Sequence, residues 1–210
     1  MICQGLTRDQ SNALYEQVLS DNDTEAMRKL CQQDLFFLLT IALRRKDINK
    51  PWLYDRIREV EASPNGHLDL WAREHYKSTI TTFAGSIFRI LRSHGEDAPD
   101  PREVTIGIFS HTKPIAKAFL RQIKQEFERN AHLKWVFDDV LWTNPRKESP
   151  KWTEDEGISV KRKSNAKENT VEAWGLVDGQ PTSKHYVHLQ YDDVVTVESV
   201  TGPEMMAKTL

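Results

Sequence analysis

Along residues 7–62, apolar side chains recur at intervals of three and four, the spacing that lines one face of an α-helix. Thr7 or Asp9 can cap a first helix running through Leu19, because a short side-chain oxygen accepts from the free amides of a first turn. The cluster Asp21, Asn22, Asp23 and Thr24 breaks that helix and caps a second. On this second helix Met27, Leu30, Cys31, Leu35, Leu38, Leu39 and Leu43 form one continuous stripe. Asn49, Lys50 and Pro51 interrupt it, a short third helix is predicted over 52–60, and Ser63, Pro64, Asn65 and Gly66 signal a turn. Residues 1–62 are therefore expected to form a helical N-terminal lobe resting on the domain that follows.

From residue 63 onward the pattern alternates between strand and helix. The stretch 67–72 reads as a strand, and Ile80, Phe83, Ala84, Ile87, Ile90 and Leu91 fall on one face of a following helix. A polar connection over 94–102 leads to Val104–Phe109, a nearly continuous apolar run typical of a strand buried on both faces. A helix from about Lys113 tolerates Pro114 in its first turn and carries Ile115, Phe119, Ile123 and Phe127. Residues 146–151 read as a loop, 158–163 and 170–177 as two strands, and Tyr186–Tyr191 as a strand ending in Asp192 and Asp193. This order predicts an α/β fold with a mostly parallel central sheet flanked by helices over 63–210, preceded by the helical lobe.

Composition narrows the function classes. Lys and Arg total 29 against 31 Asp and Glu, so no global basic field marks a nucleic-acid binder, and any DNA contact must be local. The basic run Lys161, Arg162, Lys163 and Lys167 is such a candidate, although a solvated hairpin tip explains it more simply. Cys3 and Cys31 have no metal-ligand spacing, which suggests free thiols in a reducing, intracellular setting. Leu35–Leu43, the most apolar stretch, is far shorter than the ~20 residues a membrane helix requires.

The candidate chemistry lies in two places. Residues 71–80 read W-A-R-E-H-Y-K-S-T-I, so that Lys77, Ser78 and Thr79 open a helix directly after the expected strand. A phosphate-binding loop needs amides converging on the phosphates, a lysine reaching the β and γ oxygens, and a hydroxyl for Mg²⁺, all at a helix N-terminus. Lys77 and Ser78 supply that order, but Trp71 and Tyr76 stand where the glycines of the usual motif fall. The alternative is an ordinary cap, Ser78 or Thr79, beside an exposed lysine. The second place is Asp192 and Asp193, at the carboxyl end of a strand, where α/β sheets bind ligands. One acid there can hold Mg²⁺ and its neighbour can orient water. His188 and Gln190 interrupt the apolar character expected of that strand. Asp138 and Asp139 form the same dipeptide without a clear strand before them.

These stretches, together with I-F-S-H-T-K-P-I-A-K-A-F-L, W-T-E-D-E-G-I-S-V-K-R and H-L-Q-Y-D-D-V-V-T, resemble in order and texture the ATPase domain of a tailed-bacteriophage terminase large subunit, the motor that packages viral DNA. The resemblance covers residues from about 67 to the end. It implies a P-loop NTPase fold of the additional-strand type, with ATP and Mg²⁺ as cofactors. It implies further that Lys77 contacts the β and γ phosphates and that Ser78 and Asp192 hold Mg²⁺. Asp193 would be the catalytic carboxylate, and Arg73, at the loop arginine of that family, would neutralise the γ-phosphate. The backbone of Glu74, His75 and Tyr76 would do the work of the missing glycines. Double-stranded DNA, a terminase small subunit, a portal protein and a homo-oligomeric ring are the implied partners, in the host cytoplasm and with no membrane. The family continues into a coupling strand and a nuclease domain. Neither is found after Asp193, and Thr201-Gly202-Pro203 does not serve, so the chain is expected to be a fragment. Competing readings are another P-loop motor of helicase or recombinase type, a non-catalytic nucleotide-binding module, and, least favoured, a metal nuclease using Asp192 and Asp193 with Asp138 and Asp139.

Overall fold

The computed structural model describes residues 3, 5–63, 65–72, 74–100, 102–179 and 181–195. Helix α1 spans Arg8–Ser20, and Thr7 begins it with a full capping box. Its side chain accepts from the Gln10 amide, and the Gln10 side chain accepts in turn from the Thr7 amide. Helix α2, Thr24–Gln33, starts at Asp23, whose carboxylate accepts from the Ala26 amide.

The single second helix expected from the stripe does not form. It stops at Gln33 and restarts as α3, Leu35–Phe37, which runs on into wide π turns over Leu38–Ala42. The reason is Asp34, whose carboxylate is wholly buried. It caps the Phe37 amide at 2.9 Å, accepts from the Tyr15 hydroxyl at 2.6 Å, and takes both terminal nitrogens of Arg58 at 3.0 Å. A side chain taking three hydrogen bonds from two residues on other elements, and capping its own, cannot sit in a continuous helix. Arg58 belongs to α4, Pro51–Ala62, so this cluster ties α1, α3 and α4 together.

The expected strand over 67–72 is extended chain without a sheet partner among the described residues. Asp69 and Trp71 face Arg56 of α4, through an ion pair of 3.4 Å and a guanidinium 4.8 Å from the indole centre. Leu68 and Leu70, the alternate positions, are 78% and 85% exposed. Strand alternation is therefore present, but a ladder is not.

The next helix begins at Lys77, opens into π turns over Thr79–Ala84 and continues as α5, Gly85–Ser93. Its predicted face is buried throughout, from Ile80 to Leu91. Strand β1, Ile106–Ser110, is buried at every position, and α6, Lys113–Arg129, follows it. The buried face of α6 is Ala116, Leu120, Ile123 and Phe127; the last two lie where the spacing by fours put them, while in the first half burial shifts one position from Ile115, which is exposed, and Phe119, which is partly buried. Short helices α7, Ala131–Val136, and α8, Pro145–Glu148, come next, the second inside the stretch read as a loop. Strands β2, Trp152–Thr153, β3, Gly157–Ile158, β4, Val171–Gly175, and β5, His188–Tyr191, complete a five-stranded sheet of order β2-β3-β4-β1-β5.

The fold is α/β, but the sheet is mixed rather than mostly parallel. β1 pairs in parallel with β4 and β5, whereas β3 pairs antiparallel with β2 and, at one position, with β4. The two-strand hairpin expected over 158–177 shrinks to that contact because the basic run between folds back on the chain. Lys161 donates to the Asp138 carbonyl, Arg162 to the carbonyls of Glu168 and Ala166, and Lys167 to Ser183. Gly175 is a close approach: a Cβ there would lie 2.3 Å from the Lys113 amide nitrogen, so its absence seats α6 on β4. No helix among the described residues is long and apolar enough to cross a membrane.

Candidate nucleotide site

The loop before Lys77 takes the backbone shape that glycine usually supplies. Glu74 has φ 65° and Tyr76 φ 63°, both left-handed and neither glycine. Such residues cost on the order of 1–2 kcal/mol each, so surrounding contacts must hold them. The Tyr76 carbonyl accepts from the Ile80 amide at 2.9 Å and starts the helix, which places Lys77 and Ser78 in its first turn. Ser78 makes no capping bond, in contrast to Thr7, so the reading of Ser78 as an ordinary cap gains no hydrogen bond here. Thr79 is half-buried at the start of the π turns, and Thr81 donates to the Lys77 carbonyl at 3.0 Å.

The acid pair enters from the sheet. The Asp192 amide donates to the Phe109 carbonyl at 2.9 Å, and the Asp193 carbonyl accepts from the His111 amide at 3.2 Å, extending the β1–β5 frame past the last paired residue. Asp193 has φ 50°, which turns its carboxylate outward, while the Asp192 side chain stays 1% exposed. The Lys77 ammonium lies 3.6 Å from Oδ1 of Asp192 and 3.6 Å from Oδ1 of Asp193. Those distances bring opposite charges together but are too long for hydrogen bonds.

Thr82, which sequence reasoning passed over, donates to Oδ2 of Asp192 at 2.5 Å. Its signal was the four-residue step from Ser78, which puts both hydroxyls on one helical face. The other carboxylate oxygen, Oδ1, is buried without a hydrogen-bond partner. Leaving a carboxylate oxygen unpaired away from water is costly, and a cation would relieve it. Among the described residues no group of three or more His, Cys, Asp or Glu could hold a metal unaided. Mg²⁺ fits nonetheless, because it is ordinarily held by one or two protein oxygens together with phosphate and water. Asp192 is the residue here that would hold it, and the motif resemblance would add the Ser78 hydroxyl.

A cavity of about 730 Å³ opens beside this convergence, lined by Lys77, Thr81, Arg89, His188, Asp192 and Asp193 among others. That size suits a small-molecule ligand. On β5 the polar residues His188 and Gln190 are half-buried, and Leu189 and Tyr191 are exposed. Burial, reinforced by the nearby Arg89, lowers the His188 imidazole to about 4. Burial also lowers Arg89 to about 10, with Arg92 adding to it. At the end of β1, Ser110 Oγ and His111 Nδ1 are buried without partners, which no sequence motif announced.

Two expectations fall elsewhere. Arg73 lies outside the described residues, as does Thr201-Gly202-Pro203. Asp139 is taken by Arg28, in bonds of 2.8 and 2.7 Å, and by the Glu96 amide. Its burial would raise the carboxyl, but these donors outweigh it and hold the group below the usual range. Asp139 is therefore a structural anchor between α2 and the residues after α7. Comparison of the chain with family models, with curated proteins and with solved structures finds no match.

Proposed function

We propose that this chain is the ATPase part of a viral DNA-packaging terminase motor, hydrolysing ATP with Mg²⁺ to move double-stranded DNA into a procapsid. The observation that carries the nucleotide reading is the convergence of Lys77 with Asp192 and Asp193 across the sequence, beside a loop left-handed at Tyr76. The terminase assignment, the P-loop class and the partners (DNA, small subunit, portal protein and a ring of copies) rest on the resemblance of the motifs.

In this reading Lys77 exchanges its carboxylate contacts for the β and γ phosphate oxygens. Asp192 and Ser78 would hold Mg²⁺, which would supply charge neutralisation on the phosphates. Asp193, on the exposed side, orients a water molecule and accepts its proton as the water oxygen bonds to the γ-phosphorus and the bond to the β-phosphate oxygen breaks, releasing ADP and phosphate. Thr82 keeps the Asp192 carboxylate turned toward the helix. Most of the rate enhancement comes from positioning and charge.

Lys77→Ala and Asp192→Ala are each expected to lower Mg-ATP turnover by at least about a hundredfold while far-UV circular dichroism stays unchanged. Near-normal turnover in either variant sinks the site. If the wild-type chain binds a fluorescent ATP analogue but never hydrolyses it, the non-catalytic module is the better reading.

A further inference from the structure

The two positions at which the loop departs from a glycine-rich motif, 71 and 76, share a feature. Both carry aromatic rings that lie against cations of the helical lobe. The Arg56 guanidinium of α4 sits 4.8 Å from the centre of the Trp71 ring. Arg45 and Lys50, from the turns just before α4, sit 5.9 and 5.6 Å from the centre of Tyr76. Within that pair of cations, Asp47 is bonded by Arg45 at 3.0 and 2.8 Å. Those bonds hold its carboxyl below the usual range. Between the two rings, His75 meets Trp52 of α4 edge-on at 5.7 Å. Both Trp71 and Tyr76 pack against the hydrophobic core.

We infer that the helical lobe holds the Lys77 loop in its left-handed shape through Trp71 and Tyr76, and that Tyr76 is a positioning residue for the phosphates. The second half rests on the proposed nucleotide function, and the first does not. A glycine-rich loop adopts φ > 0 without help, because it has no Cβ to clash. Here the side chain that makes the conformation unfavourable is also the handle by which the lobe enforces it. The lobe thereby becomes part of the site through the loop that it holds. Arg56 extends the grip backward, since it also pairs with Asp69 on the same edge of the extended segment.

Two measurements test this. Amide hydrogen exchange over residues 74–78, on the chain without nucleotide, is expected to quicken about three- to tenfold in an Arg45→Gln/Lys50→Gln variant, as two surface cation–π contacts would give. Exchange in β1 should not change. Tyr76→Phe, which keeps the ring, retains the slow exchange, whereas Tyr76→Leu loses it. Unchanged exchange at 74–78 in the double variant overturns the inference whatever the protein binds.

The second measurement titrates Mg-ATP. The double variant weakens affinity by a similar factor when Tyr76 is present, and by less than about twofold in a Tyr76→Gly background, where nothing remains for the cations to hold. The loss falls on KM rather than kcat. Equal loss in both backgrounds removes the positioning role of Tyr76. Faster exchange combined with no nucleotide binding by the wild type keeps the clamp and removes the ATPase reading.

Discussion

The two halves of the proposed site are built by different means. Asp192 and Asp193 are carried by the sheet, since their backbones continue the hydrogen bonds of β1 and β5, and one carboxylate is buried against the helix. Lys77 is carried by a loop with no ladder beneath it, whose unfavourable backbone is balanced by side-chain contacts to another lobe. Main-chain pairing depends little on which residues are present, so the acid half tolerates His188 and Gln190 in β5. Side-chain contacts depend wholly on which residues are present. The lysine half is accordingly the more specialised, and the more easily lost.

The contrast is sharpest in a variant that loosens the lobe alone. Asp34→Ala removes the buried carboxylate that takes both terminal nitrogens of Arg58, caps the Phe37 amide and accepts from Tyr15, leaving Glu61 as the remaining carboxylate partner of the guanidinium. The expected cost is about 3–5 kcal/mol in a denaturant titration. Hydrogen exchange should rise in α3, α4 and the Lys77 loop before it rises in β1. Simultaneous loss in all of them would show that the halves are one cooperative unit.

The acid half is probed by pH through His188. Its folded imidazole titrates at about 4 against 6.5 for the free group, so below 6.5 the unfolded chain binds a proton that the folded chain refuses. This contribution is fully present above pH 6.5 and is lost as pH falls toward 4, to an extent on the order of 3 kcal/mol. His188→Gln should flatten stability over that window. An unaltered slope would mean that the imidazole is not the titrating group. The smallest effect is expected where the halves meet. Thr82→Val deletes the donor to Asp192 and should cost about 1–2 kcal/mol, with Mg-ATP affinity reduced. Undiminished affinity would mean that Asp192 keeps its orientation without the hydroxyl.

Much of the frame was legible in the chain. Thr7 and the cluster around Asp23 announced their helices by capping chemistry, Val104–Phe109 its burial by a nearly continuous apolar run, and the break at Asn49, Lys50 and Pro51 the approach of α4, which in fact begins at Pro51 itself, because these signals act within a few residues of where they stand. What escaped depends on distant partners. Asp34 carries no local signal within the helical stripe, because its partners Tyr15 and Arg58 stand far from it in the chain. Residues 67–72 have the alternation of a strand, but a strand also needs a neighbour, and α4 took that place. The sheet's mixed direction comes from two strands of two residues each, too short to show a period. In the site, Lys77, Ser78, Asp192 and Asp193 were visible as types in order. Thr82 had only its four-residue step from Ser78 to mark it, and that step carries no chemistry until a carboxylate faces the helix.

The left-handed tyrosine also constrains how the sequence can drift. A glycine at position 76 would be indifferent to its surroundings and could pass unchanged between lineages with unrelated lobes. Tyr76 is not indifferent. Arg45, Asp47, Lys50 and Tyr76 must vary together, as must Arg56, Asp69 and Trp71, and the loop could not be grafted onto another scaffold without its lobe.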